Sequence, residues 1–195
     1  MSPEAKPYSN TYGSLVLSHR QAAAAVLIGS IGATAGAVIG PPGSAAVGAL
    51  LAFALAWASV VDIDRYILPD AVTLPLTLAG LLAHSSNGVA SAAPYALGAV
   101  AGYLSLASVA FIYERIRRRS GLGLGDAKLL AAGGAWLGWT ALPLIVLAAS
   151  LSCLGVLVCV WLLRRERLPQ GPVAFGPYIA LSIWLVWLAQ LGART

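Results

Sequence analysis

Seven stretches of this chain are predominantly apolar, and most of its charged residues fall in the N-terminal segment or between those stretches. The apolar runs cover residues 21–40, 44–63, 68–84, 94–114, 127–139, 142–163 and 174–192. A helix needs about 20 mostly apolar residues to cross the hydrocarbon core of a bilayer. The runs are unbroken and do not alternate in polarity, which disfavours membrane-spanning β-strands. The pattern therefore predicts an all-α, polytopic transmembrane bundle of about seven helices. The fifth run is short and joins the sixth through Gly138-Trp139-Thr140. Turn chemistry marks the other joints, at Gly40-Pro41-Pro42-Gly43, at His84-Ser85-Ser86-Asn87-Gly88 and at Gly171-Pro172. Residues 1–20 are polar and lack the basic-then-apolar layout of a cleaved signal peptide, so they read as a short cytoplasmic tail ahead of a membrane domain over 21–195.

Composition supports lipid as the solvent. The chain is 59% hydrophobic and 10% charged, where a soluble domain carries about 25% charged residues. A water-soluble fold of this size leaves too much surface wet to hide that apolar content. The net charge of +5 does not point to nucleic acid, because the basic residues sit in clusters between the apolar runs, as topology signals do. With seven spans and a cytoplasmic N-terminus, Lys6, Arg20, Arg65, Arg115, Arg117, Arg118, Arg119, Lys128, Arg164, Arg165 and Arg167 fall inside and Arg194 outside. That asymmetry orients the bundle by the positive-inside rule, and it needs the short fifth helix to hold. Cys153 and Cys159 share one apolar run and read as small buried hydrophobes rather than a disulfide or metal pair.

The acidic residues carry the chemistry. Glu114 and Glu166 lie among arginines, where charge balance accounts for them, and Glu4 lies in the tail. Asp62, Asp64, Asp70 and Asp126 instead cluster near the cytoplasmic ends of spans two, three and five. Asp62 follows an unbroken apolar run, where a carboxylate is costly unless protonated, hydrated or paired. Asp126 opens the fifth span after Gly121-Leu122-Gly123-Leu124-Gly125, whose glycines let another chain approach closely. A helix start there favours an anionic Asp126, with Lys128 reinforcing it. Two carboxylates from separate helices can share a proton, one acting as general base on a water while the other polarises a carbonyl. Such chemistry requires neither metal nor covalent nucleophile. Asp62, Asp64 and Arg65 are equally consistent with a wet inter-helix loop, and Asp70 after Leu68-Pro69 suits the exposed amides of a helix start.

At these residues the chain resembles the type IV prepilin peptidase family, intramembrane aspartyl proteases with a GxGD motif. One block runs from Val61 to Leu76 and includes Asp62, Leu68-Pro69-Asp70 and Thr73-Leu74-Pro75-Leu76. A second holds Gly123-Leu124-Gly125-Asp126, Lys128-Leu129-Leu130 and Ala135-Trp136-Leu137-Gly138. A third, weaker block is Phe175-Gly176-Pro177-Tyr178, in which the family's preceding Pro is absent. The resemblance covers roughly residues 44–190. It implies that Asp62 and Asp126 are the catalytic pair, with Asp62 preferred over Asp64, and that 21–195 is a peptidase domain in a bacterial inner membrane. It also implies prepilin or pseudopilin precursors as partners, cut after the Gly that ends a short basic leader. Asp64, Asp70, Gly123, Gly125 and Lys128 are the expected supporting residues, the acids attracting the leader and the glycines letting the loop reach substrate. Many members insert a domain with paired cysteines between the first two spans. Here Gly40-Pro41-Pro42-Gly43 occupies that place, which suggests a minimal form. Proteolysis in this family needs no cofactor; S-adenosylmethionine enters only if N-methylation of the product is retained, and no nucleotide-binding fingerprint is visible. The alternative from residues alone is a transport or proton-relay protein, which would place acids at the midplane rather than at one face.

Overall fold

The computed structural model describes residues 27–28, 30–31, 34–35, 37–39, 44–85, 88–118, 123–164 and 173–193. The expected tail over 1–20, the turn at 40–43, Gly121, Leu122 and the Gly171-Pro172 joint lie outside them. The described residues between 27 and 39 are mostly helical. Six helices follow: α1 Ser44–Arg65, α2 Asp70–Ser85, α3 Val89–Arg117, α4 Leu124–Leu137, α5 Leu142–Arg164 and α6 Gly176–Gly192. A single 3₁₀ turn, Trp139–Ala141, joins α4 to α5.

The helices fall where the apolar runs place them, but their lengths differ more than the runs suggest. The segments Ala45–Arg65, Ala90–Arg117 and Trp139–Leu163 are long and apolar enough to cross a membrane. The other three helices, α2, α4 and α6, have 16, 14 and 17 residues. At 1.5 Å per residue the 14 residues of α4 rise only about 21 Å, short of the roughly 30 Å hydrocarbon core. α3, by contrast, runs for 29 residues, beyond the expected 94–114 at both ends.

The short helix is the centre of the bundle. α4 packs against α2, α3, α5 and α6, while α1 packs on α6 and α2. From Asp126 to Leu137 every residue of α4 except Lys128 is buried. Small residues make this possible. A side chain on Gly134 would land on the backbone carbonyl of Gly98 in α3, and one on Gly102 would meet the Leu130 carbonyl at 2.7 Å. Glycines spaced four apart on one helix, facing another glycine, let two backbones touch, which is how helices associate where lipid removes the hydrophobic drive. On the opposite flank Gly80 of α2 leaves room for Trp136, whose indole N–H donates to the Leu76 carbonyl at 2.8 Å.

Leu51, Leu55, Leu129, Leu130, Ile145, Ile179 and Ile183 fill the interior. Outward faces are equally apolar: Leu97, Val100, Leu104 and Phe111 on α3, and Leu144, Leu147, Leu151 and Leu154 on α5, are exposed. Apolar surface on that scale needs an apolar neighbour, and in a helical bundle that neighbour is lipid.

Candidate active site

The site forms where α1 ends and α2, α4 and α6 begin. α1 is closed by Tyr66, which takes a left-handed φ of 54° and donates its N–H to the Asp62 carbonyl at 2.8 Å. Pro69 then sets the start of α2, its carbonyl accepting the amides of Val72 and Thr73 at 3.0 and 3.3 Å. The tight passage leaves Asp62 facing inward in the last turns of α1 and drives Leu68 into the bundle.

Among the described residues the buried acids are Asp62 and Asp126, at 5% and 8% exposure. They lie 64 residues apart in sequence, and the fold brings their segments together: Leu68 lies against both Gly125, next to Asp126, and Gly176, whose amide meets Asp62. Asp64, the competing acid of the first block, is exposed; two positions along a helix turn a side chain by about 200°, so only one of the two faces the interior.

Asp62 is held by α6. The Gly176 N–H donates to Asp62 Oδ2 at 3.0 Å. The first amides of a helix have no partner within it, and the start of α6 leaves this one to spare. Pro177 has no N–H, while the amides of Tyr178 and Ile179 both turn to the Phe175 carbonyl, at 3.1 and 3.2 Å. A side chain at Gly176 would also press on this carboxyl group, since a Cβ there would sit 2.6 Å from Asp62 Oδ2.

Asp126 occupies the first turn of α4, its own N–H donating to the Gly123 carbonyl at 3.1 Å. Leu68 connects the two halves. Its side chain lies 3.2 Å from where a Cβ would stand on Gly176, and its Cβ lies 2.8 Å from the corresponding point on Gly125. The two glycines therefore admit one leucine between the helices that carry or hold the acids.

The remaining expected residues are distributed differently from the sequence reading. Gly123 is exposed and extended, the cap residue of α4. Gly125 lies inside the helix, approached by Leu68 rather than set in an open loop. Lys128 pairs with Asp70, its Nζ 2.5 Å from Oδ1, and not with Asp126. Two helical positions after Asp126, it points about 200° away. Gly176 and Leu68 were not among the expected site residues, although both stand in the resembling blocks. Among the described residues no group of three or more His, Cys, Asp and Glu converges to hold a metal ion.

The chain matches the model of the type IV leader peptidase family over residues 49–160, which contain both buried acids. It is 42% identical over 146 residues to the prepilin leader peptidase/N-methyltransferase of Aeromonas hydrophila, an alignment covering 72% of this chain and 50% of that protein. Proteins of the same name from Pseudomonas aeruginosa (42% over 145 residues, 73% and 49% covered) and Dickeya chrysanthemi (46% over 143 residues, 72% and 50% covered) align similarly. The chain spans about half the length of the curated relatives it matches. No solved structure matches it. A family model that fits more than half of the sequence, together with relatives this similar, shows that the chain belongs to the type IV leader peptidase family.

Proposed function

We propose that the chain is an aspartic endopeptidase of the bacterial inner membrane that removes the short basic leader of prepilins or pseudopilins by cutting after its terminal Gly. One observation carries this reading: two acids remote in sequence are both buried at the same end of the bundle, on segments that meet around Leu68. The positive-inside rule supports a cytoplasmic position for that end, together with a cytoplasmic N-terminus.

Two carboxyl groups brought together in a buried site do not both ionise freely, and on this reading the pair shares one proton near neutral pH. The Gly176 amide favours the carboxylate form of Asp62, which leaves the proton on Asp126. Asp62 then takes a proton from water as its oxygen bonds to the scissile carbonyl carbon, and Asp126 gives its proton to the carbonyl oxygen. In the collapse of the resulting diol, Asp62 returns its proton to the amide nitrogen, the C–N bond breaks, and Asp126 recovers a proton from a diol hydroxyl. Both acids end as they began. A transport role would call for acids along the interior, and the two buried ones sit together at one end.

The names of the relatives raise S-adenosylmethionine. That cofactor has a carboxylate, an ammonium, a sulfonium and an adenine to satisfy. A cleft of about 360 Å³ between α2, α3 and α4 offers Thr73, Thr77, Tyr103 and Lys128 among aliphatic side chains, and Lys128 is already engaged by Asp70. These residues do not fit the cofactor, and no step above passes through it.

The test is leader removal from a pilin-like precursor by the purified chain in lipid vesicles. Asp62→Asn and Asp126→Asn each abolish cleavage while leaving the melting profile intact. Wild-type processing by either variant would reject the pair.

A further inference from the structure

The mechanism above gives no role to the ion pair between Asp70 and Lys128, yet its placement is specific. Asp70 is the first residue of α2, and Lys128 stands in the opening turns of α4. Two residues before Asp70 is Leu68, the side chain wedged between Gly125 and Gly176. Two residues before Lys128 is Asp126. The pair thus ties together the two backbone segments whose separation sets how far Asp126 stands from Asp62.

Across the same seam Leu68 packs on Gly125, and at the far end of α4 Trp136 packs on Gly80 and donates to the Leu76 carbonyl. That bond fixes the two helices at its own end; at the end that bears Asp126 the ion pair supplies a polar contact that the packing of Leu68 does not. The N-termini of α2 and α4 both lie at this end, and their dipoles present like partial charge to each other, to which Lys128 adds a full positive charge. Asp70 answers that charge directly.

We propose that the Asp70–Lys128 ion pair is a positioning clamp, holding the α1–α2 turn against the start of α4 so that Asp126 is registered on Asp62. Neither residue touches the reacting atoms, so both are positioning residues. This rests on the peptidase reading and deepens it. The side chains of Lys128 and Asp70 are 32% and 56% exposed, and pairs this wet contribute little to global stability. Their effect lies in alignment, because a displacement of about 1 Å at reacting groups costs on the order of 100-fold in rate.

The competing role for Asp70 is attraction of the basic leader, and kinetics separates the two. Steady-state cleavage of a leader-bearing precursor is measured for the full chain in vesicles carrying Asp70→Ala, Lys128→Ala, Lys128→Arg, or the exchange Asp70→Lys with Lys128→Asp. The clamp gives equal losses in the two alanine variants, about tenfold in kcat with KM nearly unchanged. It also gives unchanged melting midpoints, near-normal kcat for Lys128→Arg, and recovery of most of the lost kcat in the exchange variant. A raised KM in Asp70→Ala with Lys128→Ala unaffected would overturn it in favour of leader attraction, and wild-type kcat in both alanine variants would overturn it outright. Asp62→Asn in the same preparation keeps the two readings apart. Cleavage surviving that variant strikes the peptidase reading, whereas cleavage lost there but untouched at Asp70 and Lys128 strikes the clamp alone.

Discussion

Gly176→Ala is the smallest change that reaches the buried acids without altering either. The added methyl would stand 2.6 Å from Asp62 Oδ2, 3.0 Å from its Cγ and 3.2 Å from Leu68 Cδ1. Real Cβ contacts are rarely closer than 3.4 Å, so the carboxyl group must retreat by several tenths of an ångström and the 3.0 Å hydrogen bond from the Gly176 amide is lost. A hydrogen bond to a charged group contributes about 1.5–3 kcal/mol. At 1.36 kcal/mol per decade of rate, kcat falls on the order of 10- to 100-fold. Stability moves little, because Gly176 adopts helical backbone and alanine favours a helix by up to about 1 kcal/mol, offsetting local strain. The assay is kcat and KM for leader removal in vesicles, with a melting curve on the same sample. Gly155→Ala is the matched control, since nothing lies within 4 Å of its Cβ position, and it leaves both quantities at wild-type values. A Gly176→Ala enzyme with kcat within about threefold of wild type would refute the idea that the α6 amide sets the state of Asp62.

Further outcomes follow from the packing of α4. Gly134→Val drives a side chain into the Gly98 carbonyl and destabilises the bundle by about 3 kcal/mol or more, read as a lowered melting midpoint with cleavage lost in parallel. Trp136→Phe keeps most of the packing but removes the 2.8 Å bond to the Leu76 carbonyl. It costs about 1 kcal/mol, visible in melting, and leaves kcat near wild type because Trp136 lies at the end of α4 remote from Asp126.

The spans were legible because lipid demands continuous apolar runs, and continuity survives any choice of packing partner. Asp62 and Asp126 were legible for the converse reason, as acids where acids are costly. The partner of Lys128 was not: proximity in sequence assigns it to Asp126, but helical rotation turns it toward Asp70, 58 residues away. Nor could the sequence show that Gly176 supplies an amide to an acid 114 residues upstream. The clue was present in Gly176-Pro177, a helix start whose proline leaves the preceding N–H in search of an acceptor, but nothing local says which acceptor it finds. Gly125 misled for a similar reason. A glycine beside other glycines suggests an open turn, whereas here it lies within a helix and makes space for Leu68.

The brevity of α4 bears on how the molecule is made. Fourteen residues that include Asp126 and Lys128 are too few and too polar at one end to partition into a membrane unaided. They enter as the second arm of a hairpin with α3, whose 29 residues are ample to anchor both and whose Gly98 and Gly102 already offer the matching surface. During biogenesis Asp126 is therefore carried into the bundle by its neighbour, and it comes to the end that buries Asp62 only once that hairpin has closed.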